Sequence, residues 1–550
     1  MRSQKSSKHP VKPTIFKQLV YIKTFGCSVN QSDSEVMSGL LSEAGFDVIS
    51  EYSGDDVNGC ARIIAHLRSL CAGSLPSHAI ESAAFPNGAT PRNALHHIFY
   101  RNSQIGTDND SDTANVNSNP KNRDDNSYSK KIDAVIINTC TVKNLAESKF
   151  FRELRKWQDK RIANKNFAII VTGCIPQAEE SLLNTKLKDV TVIGTRQIGH
   201  IVRAVRNTLE GKIVHNISND YNERLNLPKI RKNNVIEIIP ISEGCLSYCT
   251  YCKTRFARGQ LLSYPKEKII AQFRSALEDG CKEFWITSQD NGCYGFDIYR
   301  KEKYFLPQLL DDLLAIDGDF RIRLGMANPD HIDRIKDDLI HIFKHPKMYK
   351  FLHIPVQSGS NKVLRLMKRQ YTIEDFKNII KSFRKEIPGI TISTDIIVGF
   401  PEETEDDFEC SMKLLKDIRF DVLNFSRFWS RHGTEAEKMR QIDGHKIKER
   451  GIKLKTLFDK LISDKNSEWV GKTCMALVDE VDRNGVMIAH NEYYKSILIK
   501  NPIKNSIKNP PKPKINTLGN FSKFKIIGVT KYRLVGELIN SDSLDTSKKS

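Results

Sequence analysis

Three hydrophobic runs in the first 175 residues, LVYIKTFGC, IDAVIINTC and FAIIVTGC, each end on a cysteine and alternate with stretches of helical spacing. Runs this uninterrupted fit strands buried on both faces, which requires a parallel sheet covered by helices on each side. Strands alternating with helices then predict an α/β fold, here a doubly wound parallel sheet with a helix starting near Ser32. Open sheets of this kind bind ligands in the crevice outside the carboxyl ends of their strands. Cys27, Cys140 and Cys174 would therefore gather into one preformed metal site. The alternative is three buried, inert cysteines.

A second series follows between Val235 and Trp429: VIEIIPI, EFWITSQD, RIRLGM, FLHIPVQS, ITISTDIIVGF and DVLNFSRFW, with helix-like segments between them. Six β/α repeats predict a partial (β/α)6 barrel whose site again lies at the carboxyl ends of the strands. The loop after its first strand carries CLSYCTYC, so Cys245, Cys249 and Cys252 offer three thiolates within eight residues. Three is a telling number, because a closed zinc site or an ordinary ferredoxin cluster takes four protein ligands. A 4Fe-4S cluster held by three leaves one iron open, and S-adenosylmethionine can chelate it through its amino and carboxylate groups. A zinc knuckle would need a fourth Cys or His nearby, and none stands between Cys252 and Cys281. Polar residues closing later strands would rim the same cavity and contact cofactor or substrate: Ser288, Gln289, Asp290, Asn328, Gln357, Ser358 and Asp395. The remaining cysteines, Cys60, Cys71, Cys281, Cys293, Cys410 and Cys474, are expected to have no ligand role.

From about residue 467 the pattern changes to short strands, TCMALVDEVDRNGVMIAHN, YYKSILIK and FKIIGVTKYRLVGELI, which predict a small β-barrel. The stretch NPIKNSIKNPPKPKINTLGN between them reads as an exposed basic loop. Small barrels with exposed Lys, Tyr and Arg hold RNA through phosphate contacts and stacking, which makes Tyr493, Tyr494, Tyr532 and Arg533 candidates. Their alternative is a place in the barrel core. The net charge of +19, heavy towards both ends of the chain, attracts a polyanion. Residues 52–130 end in an Asn-, Asp- and Ser-rich stretch and read as an insertion, with ARIIAHLRSLC as one amphipathic helix inside it. The expected divisions are a basic tail 1–16, a cluster domain 17–230 containing that insertion, a central domain 231–466, a barrel 467–540 and a tail 541–550. Twelve cysteines are too sparse for a disulfide scaffold and suit a reducing compartment. The basic amino terminus lacks a secretory core, and the cytosol is favoured, with a mitochondrial transit reading left open.

The motifs TFGCSVNQSDSE, NTCTVKNLAE, VTGCIPQA, GCLSYCTYCKTRFARG, LRLGMANP, FLHIPVQSGSNKVLRLMKRQYT and DIIVGFPEETEDDF resemble the methylthiotransferase family of radical S-adenosylmethionine enzymes. CKTRFARG, TSQDNGCYG and RLGMANP are most similar to its archaeal and eukaryotic branch, which modifies N6-threonylcarbamoyladenosine beside the tRNA anticodon at position 37. The resemblance implies a cluster domain, a radical domain and a carboxy-terminal TRAM domain. It implies two 4Fe-4S clusters: Cys245, Cys249 and Cys252 hold the one that cleaves S-adenosylmethionine, and Cys27, Cys140 and Cys174 hold the auxiliary one. In the family scheme one S-adenosylmethionine donates a methyl group to sulfur at the auxiliary cluster. A second supplies a 5′-deoxyadenosyl radical that takes hydrogen from adenine C2, and the carbon radical collects the methylthio group. An unactivated aromatic C–H has no acidic proton for side chains to act on, so the cofactors carry the reaction.

The implied partners are tRNA, an electron donor and a sulfur donor. Eukaryotic members of the family carry a hydrophobic carboxy-terminal membrane anchor, whereas this sequence ends in INSDSLDTSKKS, so no anchor is expected. Other targets, an isopentenyladenosine tRNA or a ribosomal-protein aspartate, are less similar. From another class stand a non-catalytic iron-sulfur electron carrier and an RNA-binding protein with structural clusters.

Overall fold

The computed structural model describes residues 17–52, 132–141, 144–163, 167–218, 220, 224–482, 485–500 and 517–539. The 52–130 insertion with its expected helix lies almost entirely outside them, as do most of the basic loop and both tails.

The first sheet has six strands: β1 (Leu19–Thr24), β2 (Asp47–Tyr52), β3 (Ala134–Thr139), β4 (Ala168–Gly173), β5 (Thr191–Ile193) and β6 (His215–Asn216). Their order is β2-β1-β3-β4-β5-β6, all parallel. Every residue of β3 and β4 is buried, as their unbroken hydrophobic runs require. On one face Val36, Met37 and Leu41 of helix α1 (Ser28–Glu43) pack with Ile201 and Val205, which belong to a later helix of this domain. On the other lie Phe150, Leu154 and Trp157 of α2 (Asn144–Ala163). The sheet is doubly wound. The first helix begins at Ser28 rather than near Ser32, so Cys27 caps it directly after the strand. A five-residue helix, α3 (Cys174–Ala178), follows β4 without a linker, and α4 (Ile201–Leu209) supplies Ile201 and Val205.

The central series contains all six expected strands: β7 (Ile236–Pro240), β10 (Glu283–Thr287), β11 (Arg321–Leu324), β12 (Phe351–His353), β13 (Thr391–Val398) and β14 (Val422–Arg427). A small hairpin, β8 (Ser242–Glu243) with β9 (Leu262–Ser263), brackets the cysteine loop and its helix α5 (Thr254–Arg258). The strands form two three-stranded parallel sheets, β7-β10-β11 and β12-β13-β14, and a parallel bridge from Ile322 to Met348 joins them. One hydrophobic cluster fills the interior and the helix interface; Phe273 and Phe284 stack there with centroids 3.8 Å apart. The barrel is therefore open on one side.

The helices around it are α6 (Lys266–Glu278), α7 (Leu306–Leu314), α8 (Pro329–Arg334), α9 (Lys336–Lys344), α10 (Asn361–Leu366), α11 (Ile373–Glu386), α12 (Glu405–Ile418) and α13 (Gly444–Ser467). Thr372 with Asp375 and Thr404 with Asp407 form capping boxes that fix where α11 and α12 begin.

The last strands, β15 (Thr473–Val481), β16 (Met487–Asn491), β17 (Ser496–Ile499), β18 (Phe521–Val529) and β19 (Leu534–Leu538), close into a five-stranded barrel. It is fastened to the central domain by a buried polar joint. Glu283 of β10 accepts from Tyr494 (3.0 Å) and Tyr349 (3.1 Å), and Asp479 of β15 lies 2.5 Å from His490 Nδ1. Burial, then the Asp479 charge, pushes the Glu283 carboxyl up to about 8. Among the described residues no helix is long and apolar enough to cross a membrane.

Candidate active site

The strand ends bring together two cysteine groups on facing sides of one seam. Cys27 follows β1, Cys140 follows β3 and Cys174 opens α3. Gly26 makes this approach possible: its φ is +112°, and a Cβ there would stand 2.4 Å from Cys140 Cβ and 2.6 Å from its Sγ. Only glycine fits. Cys27 is exposed, while Cys140 and Cys174 are buried. A hydrogen bond from Cys140 draws the Cys27 thiol down to about 6, whereas burial pushes Cys174 up against the opposing pull of Arg258. Three sulfurs, one of them readily ionised, form a donor set suited to an iron–sulfur cluster.

Across the seam, Cys245, Cys249 and Cys252 sit in the loop after β8, all partly exposed. The Ser247 amide donates to Cys245 Sγ (3.3 Å), and the Cys252 amide closes a turn on the Cys249 carbonyl (3.1 Å). Gly244 opens the loop at φ +69°, where a Cβ would meet the Gln260 carbonyl at 2.0 Å. Burial pushes the Cys252 thiol up to about 11, and ligation by a metal would reverse that. The donor set fits a cluster with an open iron, since this loop itself contributes three thiols.

Below the loop lies a group that the sequence only half disclosed. Asp290, fully buried, accepts from the Asn328 amide and side chain (3.1 and 2.5 Å), from Gly292 (3.1 Å) and from His331 Nδ1 (2.6 Å). Its carboxylate also lies 3.8 Å from Cys245 Sγ. Burial works against a charge on His331, but the Asp290 contact outweighs it and raises the imidazole to about 9. His331 was not anticipated, although it stands one helical turn beyond Asn328 in α8. Cys293, for which no ligand role is expected, gives its S–H to the Asp290 carbonyl at 3.0 Å and lies beside Cys245.

The other rim residues divide by what they touch. Gln289 accepts from the Gly244 amide (2.8 Å) and so supports the cysteine loop. Ser288 and Ser358 accept from backbone amides two residues on, at 3.1 and 3.2 Å, and shape their own turns. Gln357 adopts φ +69° and bridges to β13 through its backbone. Asp395 of β13 has its Oδ1 taken by His353 (3.1 Å) and by Asn424 (2.9 Å), its register partner on β14. Arg369, also unanticipated, ties the wall together: it donates to Asn328 (2.6 Å) and to the hydroxyl of Tyr251 (2.7 Å), between two of the loop cysteines.

Buried charges lock the two cysteine groups to each other. Arg258, 1 % exposed and six residues after Cys252, donates to Asn30 Oδ1 (2.9 Å) and to Asp33 (2.9 Å) on α1, and to Glu243 (3.3 Å). Asn30 Oδ1 in turn lies 3.9 Å from Cys174 Sγ. Arg224 completes the network on Asp33 (2.6 Å) and Glu243 (2.7 Å), and Ser28 hydrogen-bonds Thr287 at 2.8 Å.

Of the four residues considered for RNA, Tyr494 stacks on His490 (4.4 Å) within the barrel joint, and Tyr493 meets Trp469 edge-on at 5.7 Å. Both pack in the turn through which the barrel meets the central domain, Tyr494 against Tyr349 and Tyr493 beside Gly389. Tyr532 is half exposed with Lys455 and Lys531 over its ring, and Arg533 is exposed beside it.

A partial parallel barrel with three thiols in the loop after its first strand defines a radical S-adenosylmethionine enzyme, and residues 239–415 match the family model of the radical SAM superfamily. Residues 19–63 and 107–194 match the model described as uncharacterized protein family UPF0004. The chain is 38% identical over 409 residues to a Pyrococcus horikoshii protein described as a probable threonylcarbamoyladenosine tRNA methylthiotransferase, covering 74% of this chain and 90% of that one. It is 37% identical over 423 residues to the threonylcarbamoyladenosine tRNA methylthiotransferase of Drosophila melanogaster, covering 75% and 72%. The corresponding human enzyme is 40% identical over 380 residues, covering 67% of this chain and 63% of its own. The chain belongs to the threonylcarbamoyladenosine tRNA methylthiotransferase family.

Proposed function

We propose that this chain converts N6-threonylcarbamoyladenosine at position 37 of tRNA to its 2-methylthio derivative by radical activation of the adenine C2–H bond. The observation that carries the reading is the meeting of two three-cysteine groups at one seam, bridged by the buried guanidinium of Arg258.

In this reading Cys245, Cys249 and Cys252 hold a 4Fe-4S cluster with S-adenosylmethionine, and Cys27, Cys140 and Cys174 hold an auxiliary cluster. When bound, these groups supply one-electron cleavage of the sulfonium and the sulfur to be transferred. The protein's own residues position and insulate. Asp290, held by His331 and Asn328, fixes the floor under Cys245. Asp395 presents negative charge where the cationic cofactor would sit, and Ser288, Gln289, Gln357 and Ser358 shape the turns around it. Arg258 and Arg224 keep the two sites at one separation. The basic loop, Tyr532 and Arg533 offer phosphate contacts. An electron donor and a sulfur donor complete the cycle, and twelve cysteines, too sparse for a disulfide scaffold, suit the reducing cytosol.

The test is anaerobic incubation of the cluster-loaded protein with dithionite, S-adenosylmethionine and tRNA bearing threonylcarbamoyladenosine, followed by nucleoside mass spectrometry. A methylthio mass gain on that nucleoside is the expected result. Formation of 5′-deoxyadenosine without it would overturn the substrate, and absence of both with intact clusters would overturn the activity.

A further inference from the structure

Four large aromatic side chains are at least half exposed among the described residues: Tyr248, Phe256, Trp429 and Tyr532. Three of them stand on the cysteine loop or on segments that contact it. Tyr248 lies between Cys245 and Cys249, Phe256 is on α5 just past Cys252, and Trp429 is two residues beyond the end of β14. The segments carrying them are tied together. Lys253 Nζ donates to the His432 carbonyl (2.7 Å), Ala436 donates to Thr250 (2.9 Å), and the position of a Cβ on Gly433 is 3.9 Å from the Phe256 ring. Phe428, next to Trp429, packs on Phe400 (5.3 Å), which meets Tyr251 in the cysteine loop (6.0 Å). The exposed rings thus stand on segments braced against one another beside the cysteine loop.

Their exposure is not a packing remainder, because cations hold two of them. The Arg255 guanidinium lies 3.3 Å from the centroid of Tyr248 and is fixed by the Ser247 carbonyl (2.7 Å). Lys253 stands 5.1 Å from the centroid of Phe256 and also meets Glu179 at 3.2 Å. Open faces of aromatic rings beside positive charge are what single-stranded nucleic acid binds: bases stack on the rings while the cations meet phosphates. An adenine C2 inside a stacked loop is out of reach of a buried site, so the base must be extruded, and extrusion strips its neighbours of a stacking partner.

We infer that Tyr248, Phe256 and Trp429 form a stacking rim for the unpaired nucleobases that flank the target adenosine, replacing the stacking lost when that base enters the cavity. The inference rests on the tRNA reading proposed above and assigns its specificity for a loop over a duplex to these three rings.

The experiment uses the full chain with both clusters loaded. Binding is measured for an anticodon stem-loop RNA and for a fully paired duplex of the same stem sequence. Tyr248→Ala, Phe256→Ala and Trp429→Ala are compared with the ring-preserving Tyr248→Phe, Phe256→Tyr and Trp429→Phe. Each alanine variant should lose about tenfold or more in stem-loop affinity, with duplex affinity and RNA-free S-adenosylmethionine cleavage kept, and the ring-preserving variants should stay near wild type. Unchanged stem-loop affinity in all three alanine variants overturns the rim while leaving the tRNA reading standing. Equal loss for stem-loop and duplex also overturns it, since the rings would then serve folding or backbone contact. Failure of the unaltered protein to bind any tRNA overturns both.

Discussion

Gly26 leaves no space for a methyl group: Cys140 already occupies it. Gly26→Ala should therefore displace Cys140 and cost the auxiliary site, and iron bound per chain should fall to about half after reconstitution, the loss of one of two clusters. Full iron content in that variant would contradict the assignment of Cys27, Cys140 and Cys174 to one cluster. At the same scale, Cys252→Ala should abolish cleavage of S-adenosylmethionine and all product, while Cys140→Ala should keep cleavage and lose methylthiolation. Arg258 is the residue whose effect reaches both groups. Arg258→Met leaves Asp33 to Arg224 and Glu243 to Arg224 and Arg196, and should cost about 3 kcal/mol of stability by denaturant unfolding. It should also move the auxiliary cluster's reduction potential to more negative values, followed by EPR-monitored titration, because a buried positive charge favours the more negative reduced state. Arg258→Lys should restore part of both. A potential unmoved in Arg258→Met would confine Arg258 to folding.

At the scale of elements, the joint between β10 and the terminal barrel carries a pH dependence whose sign is set by burial. An unfolded Glu283 ionises near its ordinary value of 4.5, whereas the folded carboxyl holds its proton to about 8. Between those values the native state binds more protons than the unfolded one, so stability falls as pH rises and levels off above about 8. Asp479, also raised to about 8 by burial, pulls the same way, against His490, Arg323 and the Tyr349 and Tyr494 hydroxyls packed around the pair. Glu283→Gln should flatten the decline in melting temperature between pH 5.5 and 8.5; an identical slope would place the dependence elsewhere. Strand positions were legible in the sequence because runs such as AVIINT and AIIVTG are hydrophobic throughout, and both faces are buried. The joint was not legible. Tyr494 reaches Glu283 across 211 residues, and no local pattern marks a tyrosine for a carboxylate that far away. The cysteines of the site were readable from spacing and strand ends. His331 left only its helical spacing from Asn328 as a signal, and Asn424 became visible only through its register with Asp395.

For the whole molecule, a net charge of +19 makes tRNA affinity a function of salt. If six phosphates are contacted, affinity should fall roughly a thousandfold between 50 and 200 mM salt. Charge removal at Lys531 and Arg533 should flatten that slope, measured by titration at several salt concentrations; an unchanged slope would move the phosphate contacts off this part of the barrel. The network at the seam also bears on how the chain is made. Asp33 waits 191 residues for Arg224 and 225 for Arg258, and Ser28 waits 259 for Thr287. Domains emerge from the ribosome amino end first. The first sheet therefore leaves the exit tunnel with acidic side chains on α1 that nothing yet answers, and its cysteine pocket stays unbraced until the central domain has been synthesised past Thr287. The brace on the earlier pocket is thus a product of the later domain's synthesis, and a chain stalled before that point lacks the contacts of Arg258 and Thr287 to α1 that the finished one has.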